Sequence, residues 1–403
     1  MFNADSFRNH FPSLRRLHNG KPLIFMDGPG GTQVPEEVIK AISGYYETSN
    51  SNTHGVFVTT QETDRIMEDM RVKMAALLNA EHPGCISIGQ NMTTLNFALA
   101  TGIGRILQPG DEILITQLDH EGNRGPWLSL REKGIIVRET ILKSDGTLDY
   151  NDMAQKITEK TRVVAMGMAS NALGTVNDVK IARELAYRSG AWLVLDAVHY
   201  APHFSIDVKE IGCDFLLCSA YKFYGPHAGL LYSRPGLLDQ IPVNHLRTAG
   251  QAAPEKIETG TLNHAAIAGI SAAVDFIAAQ GSGNSLREKI SDAYIKIGAH
   301  ERSLAEKLYH GLSSVNDVII IGQPFENNHR APTISFLHKR LSAEDVCRKL
   351  ADVNICAWDG HFYAQRAIEK LGLLEKGGVT RLGISAYNTQ EEIDHVIKTI
   401  KSL

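Results

Sequence analysis

From residue 85 onward, short apolar runs alternate with segments of helical spacing. The runs CISIG (85–89), EILIT (112–116), IIVRETI (135–141), RVVAMGMA (162–169), WLVLDA (192–197) and FLLCSA (215–220) predict strands, and GLLYS (229–233) a further short one. Helical patterns lie between most of them, over Thr94–Leu107, Gly125–Lys133, Tyr150–Ile157 and Asp178–Arg188. Turn signals such as Pro109-Gly110-Asp111 and Ser189-Gly190 punctuate the series. Near-continuous apolar strands alternating with helices predict an α/β fold with a mostly parallel sheet covered on both faces. Upstream, Asp64–Asn79 reads as an amphipathic helix whose methionine stripe is core.

The pattern changes near residue 255. Ile267–Ala279 is an apolar helix, and Leu286–Leu312 a long one. Strands within VIIIG, APTISFL and NICAW then alternate with helices over Ala343–Ala351 and Gln390–Lys401. The expected organisation is an N-terminal segment (1–25), a large domain (26–255) and a smaller, more antiparallel α/β domain (256–403).

Composition narrows the class. Lys plus Arg is 41 against 45 for Asp plus Glu, so the net charge of -4 gives no reason to expect a nucleic-acid partner. Five cysteines with no CxxC argue against a disulfide scaffold or thiolate zinc module and fit a reducing cytoplasm. No signal-type apolar core opens the chain, and no run of 18 apolar residues predicts a membrane span.

In open α/β sheets, ligands sit at the carboxyl ends of the strands. Polar groups gather there. Asn91-Met92-Thr93 follow the first run and open a helix; His120 follows the second; Asn171 follows RVVAMGMA. Asp196 and His199 follow from WLVLDA, and Ser219, Tyr221 and Lys222 from FLLCSA. Asp196 ends a buried run, so its charge requires a partner. A lysine in the setting of Lys222 suits a lowered pKa and nucleophilic duty. Thr93 and Ser219 suit a phosphate, and His120 suits stacking on a planar ring. A planar phosphorylated aldehyde that pairs with an Asp and condenses with a Lys is pyridoxal phosphate (PLP).

These residues carry a family resemblance. FMDGPGGTQVP (25–35), ITQLDHEGNRGPW (115–127), VLDAVHYAPH (194–203), CSAYKFYGPHAGLLY (218–232), IETGTLNHAAIAG (257–269) and VTRLGISAYNTQEEID (379–394) resemble, in order and spacing, the class V aminotransferases of the cysteine desulfurase-like branch. The resemblance runs from about Phe25 to the C-terminus and implies PLP-dependent fold type I. It implies Lys222 as the cofactor lysine and proton shuttle, Asp196 on the pyridine nitrogen, His120 on the ring face and Asn171 on the phenolic oxygen. His199 stands where many relatives have glutamine. Ser219 and Thr93, flanked by Asn91 and Met92, are implied at the phosphate, with Tyr221 where histidine is common. Thr261 resembles a residue that reaches the phosphate across a homodimer interface. Arg381 resembles the clamp of an amino-acid substrate's carboxylate, and His54 a residue lining the site.

The resemblance breaks at one loop. The desulfurases read arginine-threonine-glycine-histidine-histidine-cysteine there, and this chain has Trp358-Asp359-Gly360-His361-Phe362-Tyr363. Tyr363 stands at the cysteine, and a phenol cannot carry a persulfide. Cys356, inside an apolar run, is expected to be buried and inert. The expected activity is a lyase expelling a β-substituent such as sulfur, with Trp358, His361 and Tyr363 around the substrate side chain. The alternatives are a racemase or epimerase resembling isopenicillin N epimerase, an aminotransferase, and a catalytically inactive scaffold. No GxGxxG follows the first strand and no Walker A motif occurs, which argues against nicotinamide and P-loop enzymes. His199 and His203 lack an accompanying HExxH, so no metal is expected.

Overall fold

The computed structural model describes residues 2–403. Its centre is a seven-stranded sheet built from β1 (Ile86–Gly89), β2 (Glu112–Thr116), β3 (Ile136–Thr140), β4 (Thr161–Gly167), β5 (Trp192–Asp196), β6 (Phe215–Ser219) and β7 (Gly229–Ser233). Their order across the sheet is β1-β7-β6-β5-β4-β2-β3. Only β7 runs antiparallel to its neighbours, β1 and β6. The other pairs are parallel, as the continuous apolar runs predict.

Alternation along the strands divides the core in two. Leu114, Val164, Met166, Leu193, Leu195, Leu216 and Leu230 point into one hydrophobic cluster. Their neighbours Ile113, Ile115, Val163, Ala165, Val194, Leu217 and Leu231 point into another on the opposite face. Both clusters are fully enclosed, so truncating Leu216 to Ala should cost about 2–5 kcal/mol.

A four-stranded sheet forms from β8 (Val318–Ile321), β9 (Thr333–His338), β10 (Trp358–Gly360) and β11 (Val379–Gly383), in the order β8-β9-β11-β10 and antiparallel throughout. The apolar run NICAW, expected as one strand, is split. Ile355–Cys356 pairs in parallel with Ile24–Phe25, and the chain then turns so that Trp358 pairs with Arg381 in the other sheet. Cys356 is accordingly half-buried, not enclosed as expected. The helix expected from Gly125 begins at Glu121. Pro126 suggests a start at its own first turn, but the His120 ring caps the segment earlier, its Nδ1 accepting from the Gly122 amide at 2.9 Å.

The N-terminal segment ties the parts together. Phe7 and Phe11 pack edge-on or tilted against Tyr224, Phe276 and Tyr387. Arg8 pairs with Glu392 of the last helix at 2.9 Å. Among the described residues no helix is long and apolar enough to cross a membrane.

Candidate active site

The carboxyl ends of β1, β2, β4, β5 and β6 open into one cavity, lined by Asn91, Met92, Thr93, Asp119, His120, Gly167, Ala169, Asn171, Asp196, Val198, His199, Ser219, Tyr221 and Lys222. Every cofactor-site residue expected from the sequence except Thr261 lines it. One wall is the start of the helix Met92–Ile103. Asn91 caps that helix reciprocally with Thr94, and an anion is favoured where its amides and dipole converge. Close packing holds the wall in place. A Cβ on Gly229 would come within 2.2 Å of the Asn91 carbonyl carbon, and one on Gly122 within 2.8 Å of Thr93 Oγ1.

Lys222 follows β6 in a single 3-10 turn and is 7% exposed. Burial, then the charge of Arg381, pull its ammonium down to about 7, so a large share is free amine at neutral pH. Its Nζ donates to the Pro29 carbonyl and lies over the Tyr221 ring. Tyr221 in turn stacks on His227, with centroids 4.8 Å apart and planes 8° from parallel.

Asp196 is the last residue of β5 and is buried. Its Oδ1 accepts from the Val198 amide at 2.9 Å, and among the described residues no cation lies within 4 Å of it. Burial, with Asp119 adding to it, pushes its carboxyl up to about 7. A buried carboxylate without a cation suits a ligand that brings one, and a protonated pyridine nitrogen does.

His120 is neutral. Burial, then Lys222 and Arg381, lower it to about 4, and acceptance of the Gly122 amide by Nδ1 leaves the proton on Nε2. His199 bonds through Nε2 to Thr333 Oγ1 of β9 at 3.0 Å, while its enclosed Nδ1 has no partner. An amine-bearing lysine, an unpaired carboxylate, a neutral imidazole and a helix start thus surround one cavity, a donor set that fits PLP.

None of the substrate residues expected from the sequence lines the cavity, but Arg381 and Tyr363 stand next to residues that do. Arg381 is 3% exposed, donates through Nη1 to the Asn171 carbonyl at 3.0 Å, and holds its guanidinium 3.9 Å from the Phe362 ring centroid. The Asn171 side chain spends one amide hydrogen on the Phe362 carbonyl at 2.9 Å. The Tyr363 ring is 5.6 Å from that of His120, and His361 Nδ1 accepts from the Tyr363 amide at 3.2 Å. Trp358 is half-exposed beside Gly30, where an added Cβ would meet its Nε1 at 3.0 Å. His54 and Thr261 are not brought to the cavity. They share a separate surface cleft with Asp64 and Arg71.

Two acids at the site have no role assigned from the sequence, although Asp119 stands among the polar residues that follow EILIT. Asp119 lines the cavity, and its side chain accepts from the Gly167 amide and from Asn123. Asp27 stands within the field of both Lys222 and Arg381. The sequence signal for each was a lone acid next to a motif residue, His120 in one case and Gly28-Pro29-Gly30 in the other.

Comparison with known proteins shows the family. The family model for aminotransferase class V matches residues 24–396. A probable cysteine desulfurase of Halalkalibacterium halodurans is 32% identical, with 99% of this chain and 97% of that protein covered. The apo structure of a cysteine desulfurase from Thermococcus onnurineus NA1 has a TM-score of 0.89 at 26% identity, covering 100% of this chain and 98% of that one. C-DES, solved with glycine covalently linked to its PLP cofactor, shares the fold at TM-score 0.82 and 19% identity, covering 98% and 99%. The chain therefore belongs to the class V aminotransferase family of PLP-dependent, fold type I enzymes.

Proposed function

We propose that the protein is a PLP-dependent lyase that expels a β-substituent, sulfur-bearing or similar, from an amino acid without passing sulfur to a protein cysteine. The observation that carries this reading is Tyr363. The family resemblance puts it at the loop position of the desulfurase thiol, and its ring lies 5.6 Å from that of the cavity residue His120. None of the cavity-lining residues is a cysteine. Cys356 lies on the strand that pairs with Ile24–Phe25, and burial, then Asp27, raise its thiol. A raised thiol pKa leaves little thiolate to attack a sulfur atom.

When bound, PLP supplies an electron sink that weakens the bonds at the Cα of an amino acid attached to it. In this reading Asp196 holds the pyridine nitrogen protonated, while Ser219, Thr93 and the helix start hold the phosphate. His120 covers the ring, and Asn171 and His199 orient the phenolic oxygen. Lys222, as a free amine, takes the Cα proton. Arg381 binds the substrate carboxylate, and Tyr363, beside His120, adjoins its side chain. A panel of amino acids scored for pyruvate, ammonia and sulfide tests the reading. Racemised substrate without keto acid, or a half-reaction giving only keto acid and aminated cofactor, would replace it.

The His54 and Thr261 cleft supports a homodimer with composite sites. Val56, Phe57 and Val58 beside His54 are 92%, 59% and 64% exposed, and Leu246 on the cleft wall is 61% exposed. Apolar residues grouped this way suit cover by a second copy. Light scattering at dimer mass, and weaker PLP retention in Thr261→Ala, are the expected results; a monomer with full PLP affinity contradicts them. Five free cysteines fit a cytoplasmic setting.

A further inference from the structure

Three charged side chains converge on the turn at residues 27–30. The Gly383 amide donates to the Met26 carbonyl at 2.8 Å, and Asp27 forms a parallel bridge with Gly383. Side chains alternate along β11, so Arg381 lies on the same face as Gly383, the bridge partner of Asp27. Two residues past Asp27, the Pro29 carbonyl accepts from Lys222 Nζ. Asp27 thus shares a face with Arg381 and stands two residues before the carbonyl that holds Lys222.

The charges are not paired off. Asp27 Oδ1 is closed to solvent and has no hydrogen-bond partner, and neither has Arg381 Nε. Among the described residues no ion pair within 4 Å joins Asp27 to either cation. The groups in its field are Arg381, a cation, Lys222, whose ammonium is held down to about 7, and Tyr387 and Cys356, both neutral with raised pKa values. In the empty site Asp27 is the carboxylate facing the buried Arg381, while Lys222 also faces Asp196. A second carboxylate on Arg381 changes that balance, because two acids sharing a buried site do not both stay ionised.

We propose that Asp27 is the internal counter-ion of Arg381, and that it takes up one proton from solvent when a substrate carboxylate binds Arg381. Asp27 is a positioning residue in this account. It keeps Arg381 charged and oriented while the site is empty and becomes neutral when the substrate supplies the anion. Burial already places its carboxyl at about 6, against the opposing pull of Arg381 and Lys222, so a modest added repulsion carries it past neutrality. The inference rests on Arg381 being the carboxylate site.

The test is calorimetric titration of propionate, a carboxylate with no amino group to react, into the holoenzyme in two buffers of different protonation heat. Cofactor absorbance is followed in parallel, so that a proton taken up there is counted separately. At pH 7 the wild-type protein should take up close to one proton per propionate, and the dissociation constant should weaken up to about tenfold from pH 6.5 to 7.5. Asp27→Asn should lose that uptake and bind with little change over the same window. Equal uptake in both proteins, or none in the wild type, overturns the proposal. Arg381→Gln separates the two readings. Unchanged propionate binding there removes the carboxylate site itself, whereas binding lost in Arg381→Gln with uptake unaltered in Asp27→Asn removes only the role of Asp27.

Discussion

The backbone amide of Glu121 donates to the carbonyl of Tyr363 at 2.7 Å, so the loop of the smaller sheet is fastened to the helix that begins at His120. Phe362 and Tyr363 both have φ in the left-handed region, at 53° and 56°. Two consecutive aromatic residues there cost about 1–3 kcal/mol each. They are held by this bond, by Asn171 on the Phe362 carbonyl and by Arg381 on the Phe362 ring. The strained segment carries Tyr363, whose ring neighbours that of His120.

A buried ion network fixes the same loop from behind. Glu139 accepts from Arg124 at 2.6 Å and from Arg366 at 2.8 Å, and Arg124 lies two turns or less from His120 while Arg366 follows Tyr363 by three residues. Glu139→Gln strands the enclosed Arg124 and should cost about 2–3 kcal/mol. Arg366→Ala removes a more exposed partner and should cost about 0.5–1 kcal/mol. Urea unfolding of the two variants checks the order. Equal losses would mean that Arg124 draws its compensation from Glu121 instead.

Lys222 should capture cofactor at unusually low pH. With its ammonium held near 7, the amine fraction of the apoprotein grows through that pH and levels off about one unit above it. Borohydride-fixed incorporation of PLP, measured as a rate from pH 6 to 10, should plateau by about pH 8. A rate still climbing tenfold per unit at pH 9 would show an ordinary lysine.

Asp196→Asn replaces the only carboxylate that ends β5 in the cavity with a neutral amide. Loss of Cα deuterium should slow by at least about 100-fold, equivalent to about 2.7 kcal/mol of barrier. Cofactor content should fall much less, because Lys222 and the phosphate residues are untouched. Exchange at the wild-type rate would remove Asp196 from its assigned place.

Much of this was legible in the sequence because buried parallel strands announce themselves. EILIT, WLVLDA and FLLCSA are apolar on both faces, and the polar residues just beyond them had one edge to occupy. The split of NICAW was not legible, since an apolar run does not reveal which of two partners each half pairs with. Asp27 was missed for a similar reason. Its neighbours Lys222 and Arg381 lie far off in sequence, and only the bridge to Gly383 brings them together. His54, expected to line the site, lies instead in a cleft with Thr261, the residue expected to act across a dimer interface.

Elimination without a persulfide cysteine is distinguished from desulfuration by counting products and protein-bound sulfur. The holoenzyme and its Cys356→Ala variant are given Cα-deuterated cysteine and related β-substituted amino acids, and the products and the protein-bound sulfur are counted. The account predicts keto acid, ammonia and the released β-group in equal amounts, loss of deuterium, the same rates in both proteins and no sulfur on the chain. Alanine as the product, with protein persulfide that vanishes in Cys356→Ala, would contradict it.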